Sequence, residues 1–401
     1  MKFYLKKVML CCLSVILLVS SILPSGVAEA TSISEKEEPV SSDMGVEEGS
    51  LHLNCKSAVL MEATTGAVLY VQNPEEALPP ASVTKIMTLL LLMEAIDAGR
   101  IQLDGIVTVS ANAASMGGSQ VYLKEGEQMT VEDLLKSVII ASANDAAVAL
   151  AEYLYGSVEA FTAAMNKRAE QLEMKNTRFE NVTGLDDTAV NHLTSAKDIA
   201  IMSRELIKHK TILKYSSIWM DSIRNGEFGL TNTNRLVRFY PGCTGLKTGS
   251  TSKAGFCISV TAEREGFSLI CVIMGAESRD VRNAAATALL DWGFANYELF
   301  TAPAEAIEPI AVTGGMQDIC SLTYDSFSCV LPKGTAVNVE REILMPQAVG
   351  APTSAGDAIG KIRYLSNGKE IGSVDIKALE NIDKIHFFEI LKRMAAGFSL
   401  V

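Results

Sequence analysis

The sequence has few histidines and no closely spaced pairs of cysteines of the C-x-x-C kind. Both features argue against common kinds of catalytic and metal site. The 401 residues include four histidines, and none stands near a G-x-S-x-G motif, so a Ser-His-Asp hydrolase is disfavoured. His192, in a segment that opens a predicted helix, is predicted to be structural. Eight cysteines form no C-x-x-C pair and lie near no histidine at ligand spacing, which argues against a zinc site. We therefore expect neither a metal nor a cofactor.

Positive charge is also in short supply. The chain has 35 Lys and Arg against 47 Asp and Glu, and the formal net charge of −12 argues against a nucleic-acid partner. There are no internal repeats and no long low-complexity tracts. Hydrophobic residues make up 48% of the chain, which is ample for a core, and the length favours two domains.

The N-terminus has the pattern of an export signal. Lys2, Lys6 and Lys7 precede the apolar run from Val8 to Leu23, and Ala28-Glu29-Ala30 fits a cleavage site. We predict a signal peptide over residues 1–30, and an uncleaved anchor is the alternative. Because a signal peptide directs export, we expect the protein at the outer face of the cytoplasmic membrane or in the cell wall. Residues 31–54 are predicted to be an acidic, flexible leader.

Six cysteines remain beyond the predicted signal peptide, and their pairing is open. Cys320–Cys329 is the most plausible local disulfide in an exported chain. Most of the six lie in strand-like apolar runs, where small buried residues are the commoner explanation. The six are Cys55, Cys243, Cys257, Cys271, Cys320 and Cys329.

Ser82 and Lys85 open a long apolar run. Two prolines, Pro79 and Pro80, precede them, and no Gly or Pro follows until Gly99, which predicts a buried helix. In the first turn of that helix, free N–H groups and the positive end of the dipole favour a developing oxyanion. Lys85 lies on the same face as Ser82, so the pair can supply a serine nucleophile and its base.

Single S-x-x-K and S-x-N motifs are weak signals, and each pattern recurs elsewhere in the chain. Ser366-Asn367-Gly368-Lys369 is typical of a hairpin turn. Ser110-Ala111-Asn112 follows a short strand only 28 residues after Ser82, so Ser110 is predicted to end the strand or cap a helix. Ser142-Ala143-Asn144 lies 60 residues after Ser82, at a corner between predicted helices 131–140 and 145–155, and is the preferred motif.

Three elements occur in order: Ser82-x-x-Lys85, Ser142-x-Asn144 and Lys247-Thr248-Gly249. Their combination is the signature of the penicillin-recognising serine enzymes. On these residues the chain resembles the low-molecular-mass penicillin-binding proteins, which are serine-type D-alanyl-D-alanine carboxypeptidases. The resemblance covers most of the chain beyond residue 30 and includes Leu60-Met61-Glu62-Ala63-Thr64-Thr65-Gly66, Leu78-Pro79-Pro80-Ala81-Ser82, Gly245-Leu246-Lys247-Thr248-Gly249 and Ala254-Gly255-Phe256-Cys257.

We expect an α/β (α+β) catalytic domain of the serine β-lactamase/transpeptidase type at residues 55–300. This domain is expected to consist of an antiparallel sheet with helices. Strands at both ends of this region suggest that the first and last strands are neighbours. Short alternating runs between turn signals predict a small all-β domain at 305–380. An amphipathic helix is expected at 384–401.

The resemblance and the chemistry agree on the roles. Ser82 would attack the substrate carbonyl, Lys85 would take its proton while neutral, and Ser142 would relay a proton to the leaving amine. Burial and the charge of Lys247 would lower the pKa of Lys85. The substrate-binding residues implied by the resemblance are Asn144, Lys247, Thr248, Gly249, Ser250 and Arg282, with the N–H groups of Ser82 and Ser250 as the oxyanion hole.

Two positions depart from the family pattern. Members often carry His or Tyr where this chain has Ser250. Some members carry an arginine before the Lys-Thr-Gly motif, and Asn232 occupies the position that aligns with it without gaps. The role of that arginine is therefore not assigned to Asn232. Arg282 matches a substrate-side arginine by spacing, and a surface arginine is the alternative.

The resemblance implies a D-alanyl-D-alanine carboxypeptidase that acts on peptidoglycan stem peptides ending in D-Ala-D-Ala and binds β-lactam antibiotics. One alternative is a serine β-lactamase, although no Glu-x-x-Leu-Asn segment lies between Ser142 and Lys247. Another is a non-catalytic penicillin-sensing or wall-binding module.

The C-terminal segment has one apolar helical face. Phe387, Leu391, Met394 and Phe398 recur at helical spacing, whereas Lys392 and Arg393 interrupt the segment. We expect this helix to lie on an anionic membrane surface rather than cross it. Packing against the β domain is the alternative.

Overall fold

The computed structural model describes residues 51–187 and 189–398. The predicted signal peptide and the predicted leader up to residue 50 lie outside the described residues. The last four leader residues belong to the packed fold: Leu53 is buried, and the Tyr70 hydroxyl donates a hydrogen bond to the Leu51 carbonyl.

The first part of the described chain combines one large sheet with helices on both faces. Its elements are, in chain order, β1 (Ser57–Glu62), β2 (Val68–Gln72), α1 (Lys85–Asp97), β3 (Ile106–Thr108), α2 (Ala111–Ala114), β4 (Gln128–Thr130), α3 (Val131–Ile139), α4 (Asn144–Tyr155), α5 (Val158–Gln171), α6 (Ala196–Lys208), α7 (Lys210–Ser216), β5 (Met220–Ile223), β6 (Phe228–Thr231), α8 (Leu236–Phe239), β7 (Cys243–Thr251), β8 (Gly255–Arg264), β9 (Phe267–Ala276) and α9 (Arg279–Asn296).

The large sheet is antiparallel, in the order β2-β1-β9-β8-β7. Val59 of β1 lies opposite Val272 of β9, so the first and last strands of this region are neighbours, as predicted. The strands β1, β8 and β9 are almost fully buried because helices cover both faces. The strand β7 lies at the edge of the sheet, so no further strand pairs with its outer side.

Helix α1 runs through the middle of the larger core. Ten of its 13 residues are buried, which is expected of a helix that is apolar on all sides. It packs with α4, α6 and one face of the sheet. Helix α9 covers the other face through Ala286, Leu289 and Leu290. Helix α1, which follows Ser82, is therefore held between a sheet and several other helices.

The predicted helix start at Thr130 is confirmed. The Thr130 hydroxyl accepts a hydrogen bond from the Asp133 N–H at the start of α3. Ser195 and Ser278 cap α6 and α9 in the same way.

The second part of the chain is built from short strands. They are β10 (Tyr297–Ala302), β11 (Ile310–Thr313), β12 (Ile319–Cys320), β13 (Leu322–Tyr324), β14 (Phe327–Pro332), β15 (Val339–Leu344), β16 (Ala348–Gly350), β17 (Ala358–Ser366) and β18 (Lys369–Ala378). They form three small sheets around a core that includes Tyr324, Ile362, Tyr364 and Ile376. Ser366 pairs with Lys369 across the Asn367-Gly368 turn, so the predicted hairpin is confirmed.

The last helix, α10 (Phe387–Phe398), starts later than the predicted Lys384. Lys384 forms a β-bridge with Gly315, and the Ile385 N–H donates to the Gly314 carbonyl, so these residues are extended along the β part. Among the residues that the structure describes, no helix has the length and apolar character needed to cross a membrane.

All six cysteines beyond residue 50 are free thiols in the described structure. Cys320 is on β12 and Cys329 on β14, and these strands belong to different sheets, so the candidate Cys320–Cys329 disulfide is not formed. Burial raises the pKa of most of these thiols, as for Cys257, whose pKa is about 11.

Candidate active site

Ser82 lies in a short 3-10 turn, Ala81–Thr84, that leads directly into α1. Ala81, the residue before Ser82, has φ of +48°, a left-handed conformation that costs free energy for a residue with a side chain. Such strain is common at functional sites, where the surroundings enforce it. The turn places Ser82 at the N-terminal end of the buried helix, close to the predicted position.

His192 supports this turn from behind. Its Nδ1 accepts a hydrogen bond from the Glu180 N–H at 3.0 Å, and its Nε2 lies 2.7 Å from the Thr84 hydroxyl. Burial lowers the pKa of His192 to about 4, so the ring is neutral near pH 7 and donates through Nε2. This confirms the structural role predicted for His192.

Lys85 is buried completely, and three oxygen atoms surround its amine. Its Nζ lies 3.0 Å from Ser82 Oγ, 2.6 Å from Asn144 Oδ1 and 2.8 Å from the Thr183 carbonyl oxygen. A neutral amine has two N–H donors and one lone pair. The carbonyl-type oxygens of Asn144 and Thr183 can only accept, so they take both donors, and the lone pair then faces the Ser82 hydroxyl.

Burial also favours the neutral amine. The pKa of Lys85 is lowered well below its usual value, first by loss of hydration and next by the positive charge of Lys247, while Asp145 opposes the shift. Both causes predicted from the sequence therefore act on Lys85. Geometry and electrostatics agree that Lys85 can accept a proton from Ser82.

Ser142 lies in the corner between α3 and α4, as predicted, with φ of +63°. Its Oγ is 2.8 Å from Nζ of Lys247, which also donates to the Thr248 carbonyl at 2.9 Å. The ammonium form of Lys247 has a third N–H, and no acceptor among the described residues binds it. Burial, followed by the charge of Arg282, lowers the pKa of Lys247 to about 7.

Asn144 joins the corner to the neighbouring loop. While its Oδ1 accepts from Lys85, its Nδ2 donates to the Gly117 carbonyl at 2.8 Å. The next residue, Asp145, accepts from the N–H groups of Val121 and Leu123. These bonds fix the loop from Gly117 to Leu123 against the start of α4.

The edge strand β7 brings Lys247, Thr248, Gly249 and Ser250 beside the Ser82 turn. A Cβ on Gly249 would lie 2.8 Å from the backbone nitrogen of Ser82, so only glycine allows this approach. Ser250 is exposed. The Thr248 hydroxyl donates to Thr233 Oγ1 at 2.8 Å.

Arg282 is buried on α9, so the alternative of a surface arginine is wrong. Its guanidinium lies 3.4 Å from the Cys257 carbonyl, and Cys257 of β8 is paired with Gly249 of β7. Burial lowers the pKa of Arg282 to about 10, which leaves it protonated at neutral pH. Arg282 therefore supplies a fixed positive charge near the edge strand.

The loop from Asn181 to Asp186 contributes groups that sequence reasoning missed. The Thr183 carbonyl binds Lys85, and a Cβ on Gly184, which has φ of +83°, would lie 1.8 Å from the Ala81 carbonyl oxygen. Asp186 accepts from the Thr251 hydroxyl at 2.6 Å through Oδ2, and its carbonyl accepts from Lys253 Nζ at 2.6 Å. The turn signal Asn181-Val182-Thr183-Gly184 marks the loop, but no side chain indicates the role of a backbone carbonyl.

Ser110 lies away from these residues and caps α2, as predicted. Its Oγ accepts from the Ala113 N–H at 3.0 Å and donates to the Glu152 carboxylate at 2.5 Å. Asn112 donates to the same carboxylate. Asn232 is buried and donates to the carbonyls of Ser216 and Ile218, which is a structural role.

Within residues 51–187 and 189–398, no three His, Cys, Asp or Glu side chains come together as a metal site. The groups that do converge are two serines, each hydrogen-bonded to a buried lysine: Ser82 with Lys85, and Ser142 with Lys247.

Comparison with known proteins adds independent information. A family model described as D-alanyl-D-alanine carboxypeptidase matches residues 44–278, and one described as the C-terminal domain of penicillin-binding protein 5 matches residues 297–384. The D-alanyl-D-alanine carboxypeptidase DacF of Bacillus subtilis (strain 168) is 43% identical over 347 residues, which cover 84% of this chain and 88% of that protein.

Solved structures show the same fold. Penicillin binding protein 5 from Haemophilus influenzae is similar with a TM-score of 0.75 and 31% identity, over 84% of this chain and 100% of that one. Penicillin-binding protein D2 from Listeria monocytogenes, in its ampicillin-bound form, has a TM-score of 0.57 and 31% identity, over 62% of this chain and 100% of that one.

These matches agree with the α/β transpeptidase-like fold and the additional β domain described above. They cover both parts of the described chain, and the family model alone spans more than half of it. The chain belongs to the D-alanyl-D-alanine carboxypeptidase family, whose members are hydrolases of the penicillin-binding protein class.

Proposed function

We propose that this chain is a serine-type D-alanyl-D-alanine carboxypeptidase that removes the terminal D-alanine from peptidoglycan stem peptides through an acyl-enzyme on Ser82. The observation that carries the proposal is the set of partners around Lys85 Nζ. Two acceptor-only oxygens take its N–H groups, and the remaining position faces Ser82 Oγ at 3.0 Å. This arrangement suits a neutral lysine acting as general base.

In acylation, Ser82 Oγ attacks the carbonyl carbon of the penultimate D-alanine while its proton passes to Lys85 Nζ. The carbonyl oxygen becomes an oxyanion, for which the N–H groups of Ser82 and Ser250 are the proposed donors. The C–N bond then breaks as the proton held by Lys85 passes through the Ser142 hydroxyl to the leaving amine of the terminal D-alanine, which returns Lys85 to its neutral form. Lys247 holds Ser142 Oγ at 2.8 Å during this step. The products of this step are free D-alanine and an ester on Ser82.

In deacylation, a water molecule replaces the amine. Lys85, again neutral, accepts a proton from that water, and the resulting hydroxide attacks the ester carbonyl. Collapse of the second tetrahedral intermediate returns a proton to Ser82 Oγ and releases the shortened stem peptide with a new carboxylate.

The substrate ends in a carboxylate, and the site has complementary charge. Lys247 has an uncommitted N–H, and Ser250 supplies an exposed hydroxyl at the edge strand. The Thr248 hydroxyl would rotate from Thr233 to donate to the substrate, and Arg282 adds a buried cation. Gly249 lets the Ser82 turn approach β7 closely, which brings the nucleophile beside these groups. A β-lactam also presents a strained amide near a carboxylate, so we expect it to acylate Ser82.

The two alternatives receive less support. A serine β-lactamase would share the three motifs, but the family model and the relatives matched are carboxypeptidases and the chain has an additional β domain. A non-catalytic penicillin-sensing or wall-binding module would not need a lysine poised to accept the serine proton. A steady-state assay of D-alanine release from a soluble D-Ala-D-Ala peptide, run beside a β-lactam hydrolysis assay, distinguishes the three.

The proposed carboxypeptidase releases D-alanine with multiple turnovers, and Ser82→Ala abolishes release. Rapid turnover of β-lactams with no D-alanine release would favour the β-lactamase. Binding of both ligands without turnover of either would favour the non-catalytic module.

We also propose the organisation predicted from the sequence, with the leader shortened by the packed residues 51–54: signal peptide 1–30, leader 31–50, catalytic domain up to residue 300, β domain 305–380 and a C-terminal helix. Export would place the enzyme at the outer face of the membrane, where peptidoglycan synthesis and cell shape depend on trimming of stem peptides. The helix α10 supports a membrane-surface role because its apolar side chains are exposed: Phe387 is 67% and Phe388 82% accessible.

The polar side of α10 faces the β domain. Arg393 donates to the Asp318 carboxylate at 2.7 Å and to the Met316 carbonyl at 2.6 Å. Packing of the apolar face on the β domain, the alternative from the sequence, leaves these exposed aromatic rings unexplained. The apolar face is free for the headgroup region of a bilayer.

A further inference from the structure

Two arginines and two aromatic rings form a surface cluster that the proposed chemistry does not use. We call Trp219, Arg235, Arg238 and Phe239 the arginine–aromatic patch. The Trp219 and Phe239 rings meet edge to face at 6.2 Å. The Arg238 guanidinium lies 6.0 Å from the Trp219 ring and 5.8 Å from the Phe239 ring, and that of Arg235 lies 5.7 Å from Phe239.

The patch has unsatisfied positive charge in an acidic protein. Arg224, Arg264 and Arg341 also stack on aromatic rings, but each has a carboxylate partner. Within the described part of the chain, neither Arg235 nor Arg238 has one. Both are exposed, and neither guanidinium donates a hydrogen bond to another described residue, so their N–H groups are available to a ligand. Such guanidinium edges bind carboxylates by paired hydrogen bonds.

The patch lies next to the candidate active site. Thr233, which accepts the hydrogen bond of Thr248, is two residues before Arg235, a chain distance of at most ~7 Å. The N–H of Asn232 donates to the Trp219 carbonyl at 2.9 Å, and the N–H of Thr233 donates to the Ile140 carbonyl at 3.1 Å. These bonds hold the patch in a fixed position relative to the edge strand β7.

We infer that the arginine–aromatic patch is a subsite for the carboxylate-bearing saccharide–peptide strand from which the cleaved stem peptide branches. This inference rests on the proposed function. A chain with a formal net charge of −12 repels a polyanionic wall. Two cations without carboxylate partners beside the candidate active site would attract the wall carboxylates to this face. The exposed Phe239 ring, 63% accessible, offers an apolar surface for the C–H face of a sugar.

The test is cosedimentation with purified peptidoglycan stripped of proteins and phosphate polymers. All proteins carry Ser82→Ala, so that the wall is not altered during the measurement. We expect Arg235→Gln/Arg238→Gln to weaken binding about tenfold at low salt, and Arg235→Lys/Arg238→Lys to weaken it less, because charge remains without the planar fork. Amidation of the wall carboxylates should weaken binding of the protein with an intact patch as much as Arg235→Gln/Arg238→Gln does.

Arg100→Gln is the matched control. Arg100 is exposed and stacks on the Tyr155 ring at 5.3 Å, also without a carboxylate partner among the described residues. It lies beyond the C-terminal end of α1, a helix about 20 Å long whose N-terminal end lies at Ser82. Arg100→Gln should bind the wall with an affinity within about twofold of that of the protein with Arg100 intact. Thermal melting of every variant shows whether the fold is intact.

Three results would overturn the inference: binding unchanged in the Arg235→Gln/Arg238→Gln variant, binding insensitive to amidation, or binding that requires phosphate polymers on the wall. D-alanine release from a short soluble peptide, measured with Ser82 present, tests the proposed function separately. If the parent protein releases no D-alanine, the proposed function fails. If it does, and the patch variants bind the wall normally, only the subsite fails.

Discussion

The two buried lysines of the site differ in what they contact, and this difference separates their roles. Lys85 has its amine enclosed by Ser82, Asn144 and Thr183, and its pKa is lowered well below the usual value, chiefly by burial. Lys247 has two partners and a pKa of about 7, so the protonated form remains accessible near neutral pH. One amine is suited to accept a proton and the other to attract an anion.

Arginine substitutions should separate these roles. Lys247→Arg should retain measurable activity because a cation remains for the substrate carboxylate. Lys85→Arg should lose at least ~100-fold in kcat/KM because arginine stays protonated.

The pH profile gives a second measure of the two roles. As the pH falls through the lowered pKa of Lys85, kcat/KM declines because the base becomes protonated. As the pH rises past about 7, loss of charge on Lys247 lowers kcat/KM again.

Substrate carboxylate stabilises protonated Lys247, so the alkaline decline of kcat should lie at higher pH than that of kcat/KM. Lys247→Arg should remove this alkaline decline. Higher activity in Lys85→Arg than in Lys247→Arg would refute the division of roles.

The two S-x-N motifs provide a matched pair of substitutions. Ser142→Ala removes the hydroxyl that Lys247 holds and should slow acylation by a β-lactam at least ~100-fold, the scale of a lost proton-transfer group. Ser110→Ala removes a helix cap and should cost about 1 kcal/mol of stability with acylation nearly unchanged. Stopped-flow acylation rates and thermal melts measure the two effects. Equal slowing by both substitutions would contradict the role proposed for Ser142.

At the scale of elements, the sequence predicted most of what local pattern controls. The apolar run after Ser82, the cap at Thr130, the Asn367-Gly368 turn and the pairing of the first and last strands all follow from periodicity, capping and turn chemistry. The late start of α10 and the burial of Arg282 could not be predicted, because they depend on contacts with distant segments. The same is true of the Thr183 carbonyl, since any residue can supply a backbone oxygen.

The loop that carries Thr183 is tied to the end of β7 through Asp186, Thr251 and Lys253. Asp186→Ala should loosen it, accelerate amide hydrogen exchange from Thr183 to Asp187 and lower kcat/KM several-fold by displacing the Lys85 acceptor. Asp186→Asn keeps an acceptor and should restore most of the loss. Asp318→Ala, which breaks an exposed ion pair with Arg393, is the control and should change neither quantity. Unchanged exchange in Asp186→Ala would show that the Asp186 carboxylate does not hold the loop.

At the scale of the whole molecule, the chain has an acidic catalytic part, a β part and a helix with an exposed apolar side. The charges on α10 are already engaged: Arg393 pairs with Asp318, and Lys392 lies 3.5 Å from the Glu389 carboxylate. Burial of apolar side chains, rather than net charge, should therefore supply most of the membrane affinity, at about 1.5–3 kcal/mol for each large side chain fully buried.

Flotation with liposomes tests this arrangement. The protein lacking residues 1–30 should float with anionic liposomes, and Phe387→Ser/Phe388→Ser should leave it in solution. Truncation after His386, which keeps the Ile385 bond to the Gly314 carbonyl, should have the same effect with full activity on soluble peptide. Lys384→Gln is the control for charge and should reduce flotation only slightly. Aggregation of the truncated protein would assign the helix to the core instead.

The central claim is that Ser82 is the nucleophile, and intact-mass spectrometry after exposure to a β-lactam tests it most directly. The unsubstituted protein should gain the mass of one β-lactam, and peptide mapping should place the adduct on the segment that contains Ser82. Ser82→Ala should gain none, whereas Ser110→Ala should be labelled like the parent. A β-lactam adduct that persists on Ser82→Ala would contradict the account.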